Sequence, residues 1–132
     1  MVRIVVFHHD NSVREQMVDA FRHAGFITYD ATDTRQALNA VKTYHPDVVI
    51  TDFPALIDDD ARFTGYTLTE AIRRDPALRD VAILNLSENA EGAVSEYAAK
   101  AGVTKSLMPS TSVERIVETV QEISRKSQAW GH

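Results

Sequence analysis

The residues able to do chemistry stand at the ends of four apolar runs. His8-His9-Asp10 closes the first run, Asp52 closes another, Ser87 follows a third, and Met108-Pro109 ends the last. Imidazole nitrogens suit Zn, Cu, Ni or Fe, whereas Mg²⁺ asks for oxygen ligands in near-octahedral geometry. His8 or His9 with Asp52 and a water is one arrangement for a transition metal. Asp52 with Asp10 is the arrangement that supplies oxygens. A plain contact of His8 or His9 with Asp52 at the sheet edge is the simplest reading. Such a contact is pH-sensitive, because histidine titrates near pH ~6.5 and a neighbouring carboxylate raises that value. Adjacent residues on a strand point to opposite faces, which argues against both imidazoles serving one ion.

Other constellations fall away. The chain has no cysteine, so disulfides and thiolate metal sites are excluded. No Ser-His-Asp arrangement comes with supporting motifs. Asp58-Asp59-Asp60 lacks the alternating spacing and distal Glu of a calcium loop and reads as a solvated acidic loop.

The elements that must position these residues alternate along the chain. Val2 to Phe7 is a nearly continuous apolar run, as expected of a strand covered on both faces. Val13, Met17, Ala20, Phe21 and Ala24 form a helical stripe closed by Gly25, with Asn11 or Ser12 as its cap. Phe26 to Tyr29 predicts a weaker strand nearer an edge. A second helix carries Ala37, Leu38 and Val41, capped by Thr32, Asp33 or Thr34, and ends before Pro46. Asp47 to Asp52 predicts the third strand, and Phe53 to about Thr64 a loop. Gly65 precedes a third helix with Leu68, Ala71 and Ile72, stopped near Asp75-Pro76. Val81 to Leu86 predicts the fourth strand. Val94, Tyr97, Ala98 and Ala101 give a helix closed by Gly102, and Val103 to Met108 the fifth strand. Val113, Ile116, Val117, Val120 and Ile123 form the stripe of a last helix. Arg73, Arg74 and Arg79 read as a solvated face.

Five strand–helix units imply an α/β fold, a doubly wound five-stranded parallel sheet with right-handed crossovers and helices on both faces. The size and alternation are flavodoxin-like, with strand order 2-1-3-4-5 and five helices. In such sheets ligands bind beyond the carboxyl ends of the strands, where the residues above stand. The 132 residues fit one domain, expected over 1–126, with 127–132 as a C-terminal tail or linker containing Trp130. The formal net charge of -5 gives no electrostatic reason to bind nucleic acid or an anionic membrane. No apolar run approaches the roughly 20 residues of a membrane span, so a cytoplasmic domain is expected.

The order and content of several stretches resemble the receiver domain of bacterial two-component response regulators, of the chemotaxis-regulator type. They are Arg3-Ile-Val-Val-Phe7 followed by Val13-Arg14, then Pro46-Asp-Val-Val-Ile-Thr-Asp52. Ile72-Arg-Arg-Asp-Pro-Ala-Leu-Arg-Asp80 follows, and Ala101-Gly102 leads to a strand ending at Pro109. The resemblance spans about residues 2 to 124. It implies a non-enzymatic phosphorelay module with Asp52 as phosphoacceptor and Ser87 as the hydroxyl that contacts a phosphoryl oxygen. It also implies Mg²⁺ as cofactor and a sensor histidine kinase or other signalling protein as partner. A homodimer contact is implied through the surface of the helix before the last strand, that strand and the last helix, including Glu96, Lys100 and Lys105.

Two parts of the family pattern are substituted. The acidic pair that holds Mg²⁺ falls on His8 and His9, and the lysine position falls on Met108. The aromatic position of the last strand falls on Lys105, which could also stand in for the missing lysine. Transfer of a phosphoryl group to a carboxylate brings two anions together and depends on charge neutralisation. The sequence therefore predicts a divergent or pseudo-receiver form, with weak or no Mg²⁺-dependent phosphorylation and signalling through protein contacts. A functional phosphoreceiver with unusual metal use is the alternative. A flavin- or ligand-binding domain on the same fold is disfavoured, because His8-His9-Asp10-Asn11 is not a hydroxyl- and glycine-rich phosphate loop.

Overall fold

Ile4, Val5 and Val6 have no exposed surface, so the first strand is covered on both faces, as its unbroken apolar run requires. The computed structural model describes residues 1–52, 65–86, 100, 102–108 and 110–130. In chain order these form β1 (Arg3–Phe7), α1 (Asn11–His23), β2 (Ile27–Ala31), α2 (Thr34–Tyr44) and β3 (Val48–Asp52). They continue as α3 (Gly65–Arg74), a 3₁₀ turn (Pro76–Leu78), β4 (Ala82–Leu86), β5 (Lys105–Leu107) and α4 (Val113–Trp130). The five strands make one parallel sheet in the order β2-β1-β3-β4-β5, the expected order. Four α-helices lie among the described residues. The predicted helix between β4 and β5 falls outside them, apart from Lys100, which is helical.

The two faces of the sheet bury separate cores. Ile4, Val6, Val48, Ile50, Leu84 and Leu86 pack with Met17 and Phe21 of α1 and Ile116 and Val120 of α4. Val5, Phe7, Val49 and Ile83 pack on the other face with Ala37 and Val41 of α2 and Leu68 and Ile72 of α3. The period-two alternation along each strand thus feeds both cores, and no strand face is left to solvent in the middle of the sheet.

Several boundaries differ from the sequence expectation. Asp10, not Asn11 or Ser12, caps α1, its side chain accepting from the Val13 N–H. The carboxylate reaches that orphan donor and leaves Asn11 as the first helical residue. Asp33 is the cap of α2, and His45 ends it in the left-handed region at φ 47°. Gly65 is the first residue of α3 rather than the residue before it. β5 begins at Lys105 instead of Val103, because the Thr104 hydroxyl accepts the Ile83 N–H at 3.0 Å in place of a strand carbonyl. Gly102 takes φ 109° just before it. The last helix runs to Trp130, past residue 126.

Two arginines fasten the periphery. Arg73, expected on a solvated face, instead donates from Nε to the Gly102 carbonyl at 2.9 Å and from Nη1 to the Arg79 carbonyl at 3.3 Å. It thereby ties α3 to the turn that enters β5. At the other margin Arg22 Nη2 donates to the Thr28 carbonyl of β2 at 3.1 Å.

Candidate functional site

The carboxyl ends of β1 and β3 lie side by side, since the two strands pair in register from Ile4–Val48 to Val6–Ile50. Asp52 is the last residue of β3 and is 5% exposed. β1 ends at Phe7, so His8 and His9 stand beyond the strand, where alternation no longer applies. Their rings stack, with centroids 4.9 Å apart and planes inclined by 16°. Adjacent side chains therefore need not point apart here. A ligand atom from each of His8, His9 and Asp52 falls within 4.8 Å of the others.

His9 and Asp52 are in direct contact. His9 Nδ1 hydrogen-bonds Asp52 Oδ2, and the His9 backbone N–H also points to that oxygen at 3.4 Å. The His9 side chain is 76% exposed, so this contact closes over Asp52 from the solvent side.

His8 is held differently. It is buried, its Nδ1 accepts the Asp10 N–H at 3.0 Å, and its carbonyl accepts from Arg14 Nη1 at 3.0 Å. Burial lowers its pKa below the ordinary 6.5; Asp52 opposes this, and His9 and Arg14 add to the lowering. The expected upward shift is thus reversed for His8, because the cost of burying an imidazolium outweighs the attraction of the carboxylate. With Nδ1 accepting, the neutral ring carries its proton on Nε2.

Arg14 was not anticipated as a site residue. Its Nε lies 2.6 Å from Asp30 Oδ1, although the N–H is not well aligned with that oxygen. It links β2, α1 and the loop after β1. The signal was present in the sequence, since Arg14 occupies the same helical stripe as Met17, Val18 and Phe21, all buried.

The remaining expected residues are dispersed. Asp10 turns to the α1 N-terminus, where the Val13 N–H holds its carboxyl below the usual range, and it is not among the residues whose ligand atoms cluster with Asp52. Met108 follows β5 and is 43% exposed. Lys105 pairs with Leu84, whereas Asp52 pairs with Leu86, which places Lys105 two strand positions back, roughly 7 Å along the sheet. There it lines a groove of about 430 Å³ with Arg73, Arg79 and Glu122, away from Asp52. Lys105 is therefore no substitute for the missing lysine. Ser87, Pro109, Glu96 and the Asp58-Asp59-Asp60 cluster lie outside the described residues.

A family model described as "Response regulator receiver domain" matches residues 4–121. No curated protein matches the chain. Among solved structures, the chemotaxis protein CheY4 of Vibrio cholerae superposes with a TM-score of 0.81 at 22% identity, covering 93% of this chain and 98% of that one. A CheY-like receiver domain protein from Methanospirillum hungatei gives 0.83 at 15% identity, covering 98% of each chain. A response regulator protein from Burkholderia multivorans gives 0.74 at 25% identity, covering 94% of this chain and 96% of that one.

Proposed function

Because the chain belongs to the response regulator receiver domain family of two-component signalling, we propose that it is a divergent receiver whose Asp52 is engaged by His9 rather than served by Mg²⁺. It signals through protein contacts, with weak or no Mg²⁺-dependent phosphorylation. The contact of His9 Nδ1 with Asp52 Oδ2 carries this reading.

The family implies Mg²⁺, and the donors present decide whether that ion fits. Mg²⁺ demands near-octahedral oxygen coordination and sheds water reluctantly. The cluster at the carboxyl ends of β1 and β3 offers two imidazoles and one carboxylate, and Asp10 is engaged at the helix cap. These donors do not fit Mg²⁺. The exposed Met108 supplies no positive charge for a phosphoryl oxygen. Asp52 retains the phosphoacceptor position with Ser87 as its hydroxyl neighbour in sequence pattern, and among the described residues its ionisable partner is His9, not a lysine or arginine that would offset the approach of a second anion.

A signalling protein such as a sensor histidine kinase is the partner class, and the domain itself is a non-enzymatic module of the cytoplasm. No helix among the described residues is long and apolar enough to cross a membrane. Lys100 and Lys105 lie on the surface proposed for partner or homodimer contact, and both are exposed.

The test is intact-mass measurement after incubation with a small phosphodonor and Mg²⁺. The reading expects no adduct or a trace. A full phosphoryl adduct abolished by Asp52→Ala overturns it. Asp52 at the carboxyl end of β3 also supports the alternative, a phosphoreceiver using another ion. An adduct that forms with Mn²⁺ but not with Mg²⁺ identifies that case.

A further inference from the structure

We propose that His8, His9 and Asp52 form a binding site for a divalent d-block cation of the zinc class. This builds on the preceding reading, in which the same residues do not suit Mg²⁺. What turns that mismatch into a site is the ring geometry. Two imidazoles and a carboxylate are a recurrent zinc ligand set, and three protein ligands leave a fourth position for water. His8 and His9 lie past the end of β1 with their rings stacked; His9 touches the Asp52 carboxylate, and a His8 nitrogen lies within 4.8 Å of it.

The distances are close to what an ion needs. Ligand atoms about 2.1 Å from a tetrahedral ion lie roughly 3.4 Å from one another. The three ligand atoms here span 4.8 Å, so the cluster must contract by a little over an ångström. His9 can make that adjustment by rotation, because its side chain is 76% exposed. As the ion enters, it takes the place of the hydrogen in the His9–Asp52 bond, and the neutral His9 ring carries its proton on Nε2 instead. His8 gives up one hydrogen bond, that from the Asp10 N–H to Nδ1. Ligation through Nδ1 displaces it directly, and ligation through Nε2 moves the ring proton to Nδ1 and breaks the same bond.

The local charge also suits a cation. Arg14 is paired with Asp30, which leaves Asp52 as the uncompensated charge of the cluster when both rings are neutral. A dication on this set converts the pocket from net negative to net positive, the opposite of what an unliganded Asp52 presents.

The experiment is a zinc chloride titration of the full chain against a fluorescent zinc indicator, with Co²⁺ absorption spectra to report coordination. The expected result is uptake of one Zn²⁺ per chain and tetrahedral-type Co²⁺ bands. His9→Gln and Asp52→Asn should each weaken uptake by at least the roughly 10- to 100-fold that loss of even an outer-shell partner costs. His23→Gln, at an exposed histidine outside the cluster, should leave it unchanged. Circular dichroism checks that each variant is folded. Absence of uptake, or uptake that His9→Gln and Asp52→Asn do not alter, overturns the proposal. A Mg²⁺-dependent phosphoryl adduct would instead count against the preceding reading, so the two failures are read by different signals.

Discussion

Replacing Arg14 by Met should destabilise the chain less than replacing its half-exposed partner Asp30 by Ala. The Arg14 side chain is 7% exposed and the Asp30 side chain 38%. In Arg14→Met the aliphatic stem is roughly preserved, so packing changes little. The His8 carbonyl loses its donor, which costs about 1–3 kcal/mol for a buried acceptor. Asp30 can rehydrate, so loss of the ion pair adds only about 1 kcal/mol or less. The sum is about 1–4 kcal/mol. In Asp30→Ala the buried guanidinium keeps its charge and loses its carboxylate, for which about 3–5 kcal/mol is the usual cost. With roughly 2.1 cal/mol/K of unfolding entropy per residue over 132 residues, each kcal/mol moves Tm by about 3.6 °C. Thermal unfolding followed by circular dichroism should show a fall of about 4–14 °C for Arg14→Met and a larger one for Asp30→Ala. A fall under about 2 °C for Arg14→Met, or a milder effect at Asp30 than at Arg14, refutes the reasoning.

Two further predictions concern pH and backbone strain. His8 has a lowered pKa in the folded chain, so the unfolded chain binds more protons just below pH ~6.5. Its contribution is complete above that pH and is lost as pH falls towards the folded value. Urea unfolding from pH 7.5 to 5 should show a stability decline that is smaller in His8→Gln, and an equal slope in both chains excludes the assignment. Gly25 and Gly102 both have positive φ, but a Cβ at Gly25 meets nothing within 4 Å, whereas one at Gly102 would lie 2.6 Å from Arg73 Cγ. Gly25→Ala should cost about 1 kcal/mol from backbone strain alone and Gly102→Ala about 2 kcal/mol or more. Equal losses on chemical denaturation would show that Arg73 does not press on that turn.

The strands and helices were legible because burial on both faces writes itself as apolar runs, and each helix as a 3.6-residue stripe; the strand order followed from likeness to the flavodoxin-like pattern. Val48, Val49 and Ile50 could be assigned from hydrophobicity alone. The position of Asp52 followed from the strand that it ends. What was not legible is the course of the chain beyond the strand ends. Strand alternation was carried past Phe7, where β1 ends, and beyond that point the two histidine rings stack instead of pointing apart. The histidine shift was misjudged for the same reason, since sequence shows a nearby carboxylate but not the burial that outweighs it. Asp10 was considered as a ligand because its type suits a metal, yet the free N–H groups at the start of α1 claim it. Arg73 looked solvated because nothing in its neighbourhood foretells that a glycine 29 residues later lies beneath it.

Arg22 has a role that reaches beyond the single molecule. The Ile27 N–H bonds the Val2 carbonyl, so alternate residues of β2 face β1 and Thr28 turns its backbone groups outward. β2 is an edge strand, and an uncovered edge is a template on which another chain can add a strand. The Arg22 guanidinium occupies the Thr28 carbonyl and sets a charged group in the path of an incoming backbone. Resistance to edge-to-edge aggregation is thus built from α1, the helix that also carries Arg14 to the site, and one amphipathic segment guards both the sheet margin and the loop beside Asp52.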